Sequence, residues 1–439
     1  MDNSKKGISR RKFVEYAALG GAAGLTALSN PYRTLAAAES PEAELLNVET
    51  GSSISSTDKT LLGAYGQWTD GLFGDEPGEL SFRNSAWSDV EAWKTAAQER
   101  VIELLAIPDS GGTPSVTVND TINYDGLVIE DLSWQLPYGP ETRAYLVKPT
   151  GPGPFPGIIA MHDHGGNKYF GRRKIVRTSD SMHTMMESHQ NSFYGGRALA
   201  NELAKLGFAV LVPDVFTFAS RRMLWSETTN RPEVRGNGLD VSSAESSSDI
   251  GRYNTWAAQM EHIVAKSLFS AGTTWPGVFL GEDKRALDVL AARADVDADN
   301  LGCVGLSGGG LRTVMLTGLD SRIKAGVCAG MMTTWRDYML YHSFIHTWMA
   351  FMPHVPRYLD YSEIFALNLS GCLVVNSEND FLFELEEMKE AEKILEEVYD
   401  KAGSPEKFKC QFFPPGSPRH RFDGDMQDVA YDWFEQWLK

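Results

Sequence analysis

Between residues 87 and 104 the apolar positions Trp87, Val90, Trp93, Ala97, Val101 and Leu104 recur at spacings of three and four. That period predicts one amphipathic helix, which Pro108 and Gly111-Gly112 bring to an end. From about residue 115 the period falls to two: 126–136 and 142–148 alternate, and Pro137 and Gly139 between them predict a hairpin. Residues 156–161 are apolar on both faces, the pattern of a buried strand. Strands and helices then take turns. Helices are predicted over 197–206, 283–292, 309–316, 384–400 and 425–438, and strands over 208–212, 301–305, 325–329, 372–376 and 408–413. Such alternation predicts an α/β protein with a doubly wound, mostly parallel sheet, the early hairpin forming its antiparallel N-terminal edge.

Two stretches break the rhythm, 216–281 and 331–369. Connections this long in a compact α/β domain are usually functional insertions, and both leave the C-terminal side of a strand, where open sheets place their ligands. The first carries Trp225, Trp256 and Trp275, the second Trp335, Trp348, Tyr338, Tyr341, His342, His346 and His354. Their first expected role is packing the insertions onto the domain; Trp225, Trp275 and Trp335 stand beside that as candidate substrate contacts. Residues 39–80, rich in Ser, Gly, Thr and acids without a period, are expected to be a linker or loosely ordered arm. The folded domain is expected over 81–439, with 81–114 as a helical extension.

The first 38 residues read as a targeting segment. Lys5, Lys6 and Ser9-Arg10-Arg11-Lys12-Phe13-Val14 precede a weakly apolar run over 17–28 and Ala36-Ala37-Ala38. The combination resembles a twin-arginine signal peptide, which implies handling by the twin-arginine translocation machinery, cleavage after Ala38 and a periplasmic or extracellular destination. The composition, 42% hydrophobic and 23% charged, is that of a globular protein. Net charge is −17, and loss of six basic and two acidic residues with 1–38 leaves −21, a surface that repels nucleic acid and anionic lipid. Cys303, Cys328, Cys372 and Cys410 each sit in a separate apolar run and are expected as buried thiols.

The chemistry concentrates in Gly305-Leu306-Ser307-Gly308-Gly309, which stands between a predicted strand and a predicted helix. A serine on so sharp a turn needs small neighbours, and its hydroxyl is presented at a helix N-terminus that favours developing negative charge. Serine becomes a nucleophile only when a base takes its proton, and the base needs a carboxylate to fix its tautomer. After the strand at 372–376 come Glu378 and Asp380; either can be that acid, and turn spacing favours Asp380. The only histidine beyond His354 is His420, the expected base. Two N–H donors for an oxyanion are expected from Gly308 and from the loop His162-Asp163-His164-Gly165-Gly166, with His164 favoured and Gly165 or Gly166 as alternatives. No cofactor is required by this scheme.

Together, His162-Asp-His-Gly-Gly-Asn-Lys168, Leu206-Gly-Phe-Ala-Val-Leu-Val-Pro-Asp214, Gly305-Leu-Ser-Gly-Gly309, Asn376-Ser-Glu-Asn-Asp380 and His420-Arg-Phe422 resemble the dienelactone-hydrolase or acetyl-xylan-esterase type of α/β-hydrolase from about residue 120 onward. The resemblance implies an α/β-hydrolase fold, the triad Ser307, Asp380 and His420, and cleavage of carbohydrate esters or small lactones. It departs at Ser417-Pro418-Arg419, where a Gly-Gly-His run is usual at the base. His162 and the cationic turn Arg172-Arg173-Lys174 are further candidate substrate contacts, Arg172 for an acidic sugar, although three adjacent cations more often form a solvated surface turn. Two other classes remain open. One is a metallohydrolase with His162, Asp163 and His164 as zinc ligands, joined by His183 or His189. The other is a non-catalytic glycan-binding protein on the same scaffold.

Overall fold

The computed structural model describes residues 59–74 and 76–439. The signal segment at 1–38 and residues 39–58 of the expected linker lie outside the described residues.

Nine strands form one sheet in the order β1-β2-β3-β5-β4-β6-β7-β8-β9. They are β1 (Thr117–Tyr124), β2 (Leu127–Trp134), β3 (Thr142–Pro149), β4 (Phe155–Met161), β5 (Ala209–Pro213), β6 (Val296–Leu306), β7 (Ile323–Ala329), β8 (Gly371–Ser377) and β9 (Phe408–Phe413). Pairing is antiparallel from β1 through β3 to β5 and parallel from β5 to β9. The antiparallel edge has one strand more than the hairpin expected. Residues 117–124 are mostly exposed and therefore carry little apolar signal, but Asp125 and Gly126 both take positive φ and close the two-residue turn that pairs them with β2.

The main helices are α1 (Val90–Leu105), α2 (Thr184–Tyr194), α3 (Leu199–Lys205), α4 (Ser247–Ala271), α5 (Trp275–Ala291), α6 (Gly308–Leu319), α7 (Tyr361–Ala366), α8 (Leu385–Lys401) and α9 (Gly424–Leu438). They cover both sheet faces, and alternate strand residues face the two layers: Ile159, Met161 and Cys303 pack with α1, α5, α6 and α8, while Ile158, Ala160 and Val304 pack with α3 and α9. Helix α5 begins eight residues before the 283 expected from sequence. Thr274 accepts the Gly277 amide at 2.9 Å and Pro276 fits the first turn, so the end of the first insertion is itself helical.

A buried ion pair ties α5 to the helix behind Ser307. Arg312 of α6 reaches Asp283 of α5 through Nε at 2.9 Å and Nη2 at 2.5 Å, with both side chains out of solvent. Asp283→Ala strands a buried guanidinium, and urea unfolding is expected to show a loss of about 3–5 kcal/mol. Residues 59–74 and 76–80, expected to belong to a loose arm, instead lie against the second insertion. The Leu61 amide donates to the Leu340 carbonyl at 3.0 Å, Asp70 pairs with Arg336, and Leu80 is buried with its amide on the Tyr358 carbonyl. The four cysteines are free thiols, three of them buried. Among the described residues no helix is long and apolar enough to cross a membrane.

Candidate active site

Strand β6 runs into α6 through Ser307, whose φ of 58° and ψ of −120° lie where a side chain with a Cβ is strained by about 1–3 kcal/mol. The turn is held by the Ser307 amide on the Ala329 carbonyl and by its own carbonyl, which accepts the Leu311 amide, both at 2.9 Å. Glycine is obligatory at its flanks: a Cβ on Gly305 would stand 2.4 Å from the Gly309 carbonyl carbon, and one on Gly309 would stand 2.1 Å from the Met161 oxygen. The hydroxyl makes no capping bond to α6, so it is left for chemistry at the positive end of the helix.

The two loops beyond β8 and β9 bring the expected acid and base together. Asp380 is buried and its Oδ2 lies 2.7 Å from His420 Nδ1, while Oδ1 accepts the Leu382 amide at 3.1 Å. Glu378 points into solvent, with only its amide engaged, on the Phe413 carbonyl. With Nδ1–H donated to Asp380, Nε2 of neutral His420 is an acceptor, and it is buried without a partner among the described residues. The ring lies between Phe193 and Phe381 and against Gly330, where a Cβ would come within 3.0 Å of Cε1. Gly330 follows directly on Ala329, the residue that holds the Ser307 amide, so base and serine share one strand end. Burial disfavours the imidazolium, but the charge and hydrogen bond of Asp380 outweigh it, and His420 titrates above the ordinary histidine value.

The segment before His420 departs from the usual glycines, and two side chains fix it instead. Asn379 exchanges bonds with the amide and carbonyl of Gly416 at 3.1 Å, and Arg421 donates to Ser377, Pro418 and Pro414. Arg421→Met frees the loop, and kcat is expected to fall roughly 10- to 100-fold. Steady-state kinetics beside a thermal melt check this: a lowered Tm with unchanged kcat would make Arg421 a brace for stability alone.

The expected oxyanion donors also meet. A Cβ added to Gly308 would lie 3.3 Å from the His164 amide nitrogen, and among the described residues neither amide has an acceptor. The peptide units around His164 are held from below. Buried Lys174 donates to the Asp163 and His164 carbonyls at 2.6 and 2.9 Å, and the Asp163 carboxylate accepts from His189 at 3.0 Å and Tyr194 at 2.7 Å. Burial opposes the charge of Asp163, yet His189, Lys174 and these bonds hold its carboxyl well below the usual range. Burial also pulls the Lys174 ammonium down to about 8.

Several candidate contacts are engaged elsewhere. Arg172 is not on a solvated turn: its Nη1 lies 2.5 Å from Asp214 and its guanidinium stacks on Tyr145. Lys174 is buried and Arg173 pairs with Glu245. Trp275 and Trp335 are core residues, and Trp225 packs inside the first insertion, its Nε1 on the Arg235 carbonyl and Arg235 4.0 Å over its ring. His162 is buried with Nδ1 on the Asp163 carbonyl, and burial, with Lys174 and Arg312 nearby, pushes it down to about 3. The candidate zinc ligands do not converge: His189 and Asp163 meet each other, but His164 meets Glu261 and His183 meets the Glu245 carbonyl. Among the described residues no three His, Cys, Asp or Glu side chains gather at metal-binding spacing.

Sequence reasoning passed over Glu261, Lys168, Tyr194, Asn379 and Arg421. Lys168, Asn379 and Arg421 stand inside the motifs that carry the resemblance without being singled out, and Glu261 left the signal of an acid within the buried face Tyr253, Ala257, Met260 and Ala265 of α4.

A family model described as the prolyl oligopeptidase family, Peptidase_S9, matches residues 283–439. Over 316 residues the chain is 25% identical to a candidate hydrolase, YtaP, of Bacillus subtilis, covering 71% of this chain and 88% of that one. Its fold is similar to that of a candidate acetyl xylan esterase from Bacteroides fragilis, with a TM-score of 0.57 and 15% identity over 82% of this chain and 84% of the other. It is similar also to a glucuronoyl esterase from Solibacter usitatus, with a TM-score of 0.52 and 13% identity over 79% of this chain and 93% of the other. The strand order and these likenesses make the architecture an α/β-hydrolase fold.

Proposed function

We propose that the protein is an exported serine hydrolase that cleaves carboxylic esters through an acyl-enzyme, acting on a carbohydrate ester of the acetyl xylan type. The observation that carries this reading is the Asp380–His420 hydrogen bond, which leaves His420 Nε2 as an acceptor beside the strained turn that presents Ser307. Ser307 Oγ attacks the ester carbonyl as His420 takes its proton, and the amides of Gly308 and His164 receive the oxyanion. The tetrahedral adduct collapses as His420 gives the proton to the departing alkoxide. Water, deprotonated by the same nitrogen, then attacks the acyl-enzyme and restores Ser307. Support for the sugar ester comes from the fold neighbours described as acetyl xylan and glucuronoyl esterases.

The test is a fluorophosphonate reaction followed by peptide mapping, with turnover measured on acetylated xylan, methyl-esterified pectin, a small lactone and a prolyl peptide anilide. Labelling at Ser307 with release of acetate from xylan is the expected result. Preference for the lactone moves the reading to a dienelactone-type enzyme, preference for the anilide moves it to a peptidase, and unlabelled Ser307 with undiminished turnover overturns it. Export is tested separately: Arg10→Lys with Arg11→Lys is expected to retain the full-length precursor in the cytoplasm, and unchanged secretion would remove the twin-arginine route.

A further inference from the structure

The long helix α4 of the first insertion carries a single carboxylate into the site's supporting layer. Glu261 is almost fully buried, yet each oxygen is bonded. Oε1 lies 2.9 Å from His164 Nε2 and 3.0 Å from Lys168 Nζ; Oε2 accepts the Thr347 hydroxyl at 2.6 Å and lies 3.4 Å from the Trp348 amide. His164 and Lys168 belong to the oxyanion loop, and Thr347 and Trp348 to the second insertion. One side chain therefore joins three segments that are separate in sequence. His164 Nδ1 accepts the Gly166 amide at 3.1 Å, so its proton resides on Nε2 and is donated to Glu261. Burial works against the charge of Glu261, but Lys168 and the bonds from His164 and Thr347 outweigh it and keep the carboxyl well below its usual range.

The geometry points to Glu261 as the positioning residue of the oxyanion hole: through the imidazole of His164 it fixes where the His164 amide points, and through Thr347 it makes that orientation depend on the seating of the second insertion. This rests on the serine-hydrolase reading above. An amide aimed at an oxyanion stabilises the transition state more than the bound ester, because it acts in full only when the charge has formed and only if it needs no reorganisation. Slackening Glu261 therefore lowers kcat and leaves KM nearly alone. The lining of the site is not removed, and Glu261 itself touches no reacting atom.

Two variants of the full chain test this. Glu261→Gln keeps the shape but loses the charge that gathers Lys168, His164 and Thr347; Thr347→Val removes the hydroxyl bond to Glu261, together with its 3.4 Å cap on the Met349 amide, and leaves the bonds of Glu261 to His164 and Lys168 in place. For 4-nitrophenyl acetate, Glu261→Gln is expected to lower kcat about 10- to 100-fold and Thr347→Val about 3-fold, with KM changed less than about 3-fold in both. Phosphonylation of Ser307 by a fluorophosphonate is expected to slow in parallel, since its transition state uses the same hole. Wild-type kcat in Glu261→Gln, whether or not Tm falls, overturns the proposal and leaves Glu261 a strut of the fold. If Glu261→Gln fails to fold, Thr347→Val decides through the same split between kcat and KM, and an unchanged kcat there overturns the coupling. Failure of the wild-type chain to be labelled at Ser307 overturns the serine-hydrolase reading itself, and the positioning role falls with it.

Discussion

Ser307→Ala is expected to reduce ester turnover by roughly 10⁴- to 10⁶-fold while leaving the fold intact. The side chain packs into no core and caps no helix, so removal of its oxygen costs little stability; Ser307 is half-buried and its structural bonds are made by its own amide and carbonyl. The residual rate reflects the oxyanion amides and substrate binding, which survive the substitution. Initial rates with the variant purified beside the wild type, and circular dichroism of both, check the two halves. An alanine variant within tenfold of wild type would remove Ser307 from the mechanism.

The second large effect is expected at the acid. In Asp380→Asn the amide group can donate to His420 Nδ1, which forces the proton onto Nε2 and takes away the acceptor that Ser307 needs; kcat is expected to drop about 10³- to 10⁴-fold. The pH profile separates this from a loss of folding. In the proposed mechanism neutral His420 is the working form, and its raised pKa is expected to put the acid limb of kcat/KM above the ordinary histidine value of 6.5. With Asp380 neutralised, burial is the dominant influence and the limb moves below that value. The sign for stability is opposite: the pair's contribution is fully present below the unfolded value and is lost as pH rises through the folded one. Glu378→Gln is the control, expected to keep the wild-type rate and profile because its side chain is in solvent.

The sheet and its helices were legible because each central strand is apolar on both faces and each covering helix on one, so period and run length report their positions directly. Strand β1 was not: an edge strand with no buried position has no reason to alternate. The sharp turn at Ser307 and the pairing of His420 with an acid after β8 were legible for a different reason, as the turn demands Gly305 and Gly309 and as His420 has no competitor after the last strand. Asp380 against Glu378 required three dimensions, since a separation of two residues decides which carboxylate points inward. The cationic turn at 172–174 misled because charge in a sequence suggests water; Asp214, Asp163 and the ring of Tyr145, each contributed by a different segment, are what make burial tolerable there. For Glu261 an acid on a buried helix face was the whole signal, because its partners lie 97 and 86 residues away.

The segment that leads from residue 59 to α1 has a bearing on where the chain can be trimmed. Glu363, a carboxylate with no exposed surface, accepts the Ser81 hydroxyl on Oε1, while its Oε2 faces Arg83 and accepts the Asp360 amide at the start of α7; Asp360 in turn holds the Trp335 amide. A protease that removes residues before about 60 takes none of these. One that cuts beyond Arg83 leaves Glu363 sealed in the interior without its cation, within the insertion that also carries Thr347. The edge that trimming must respect thus lies well ahead of the first strand, among the residues from Leu61 to Arg83 that bond to the insertion carrying Thr347.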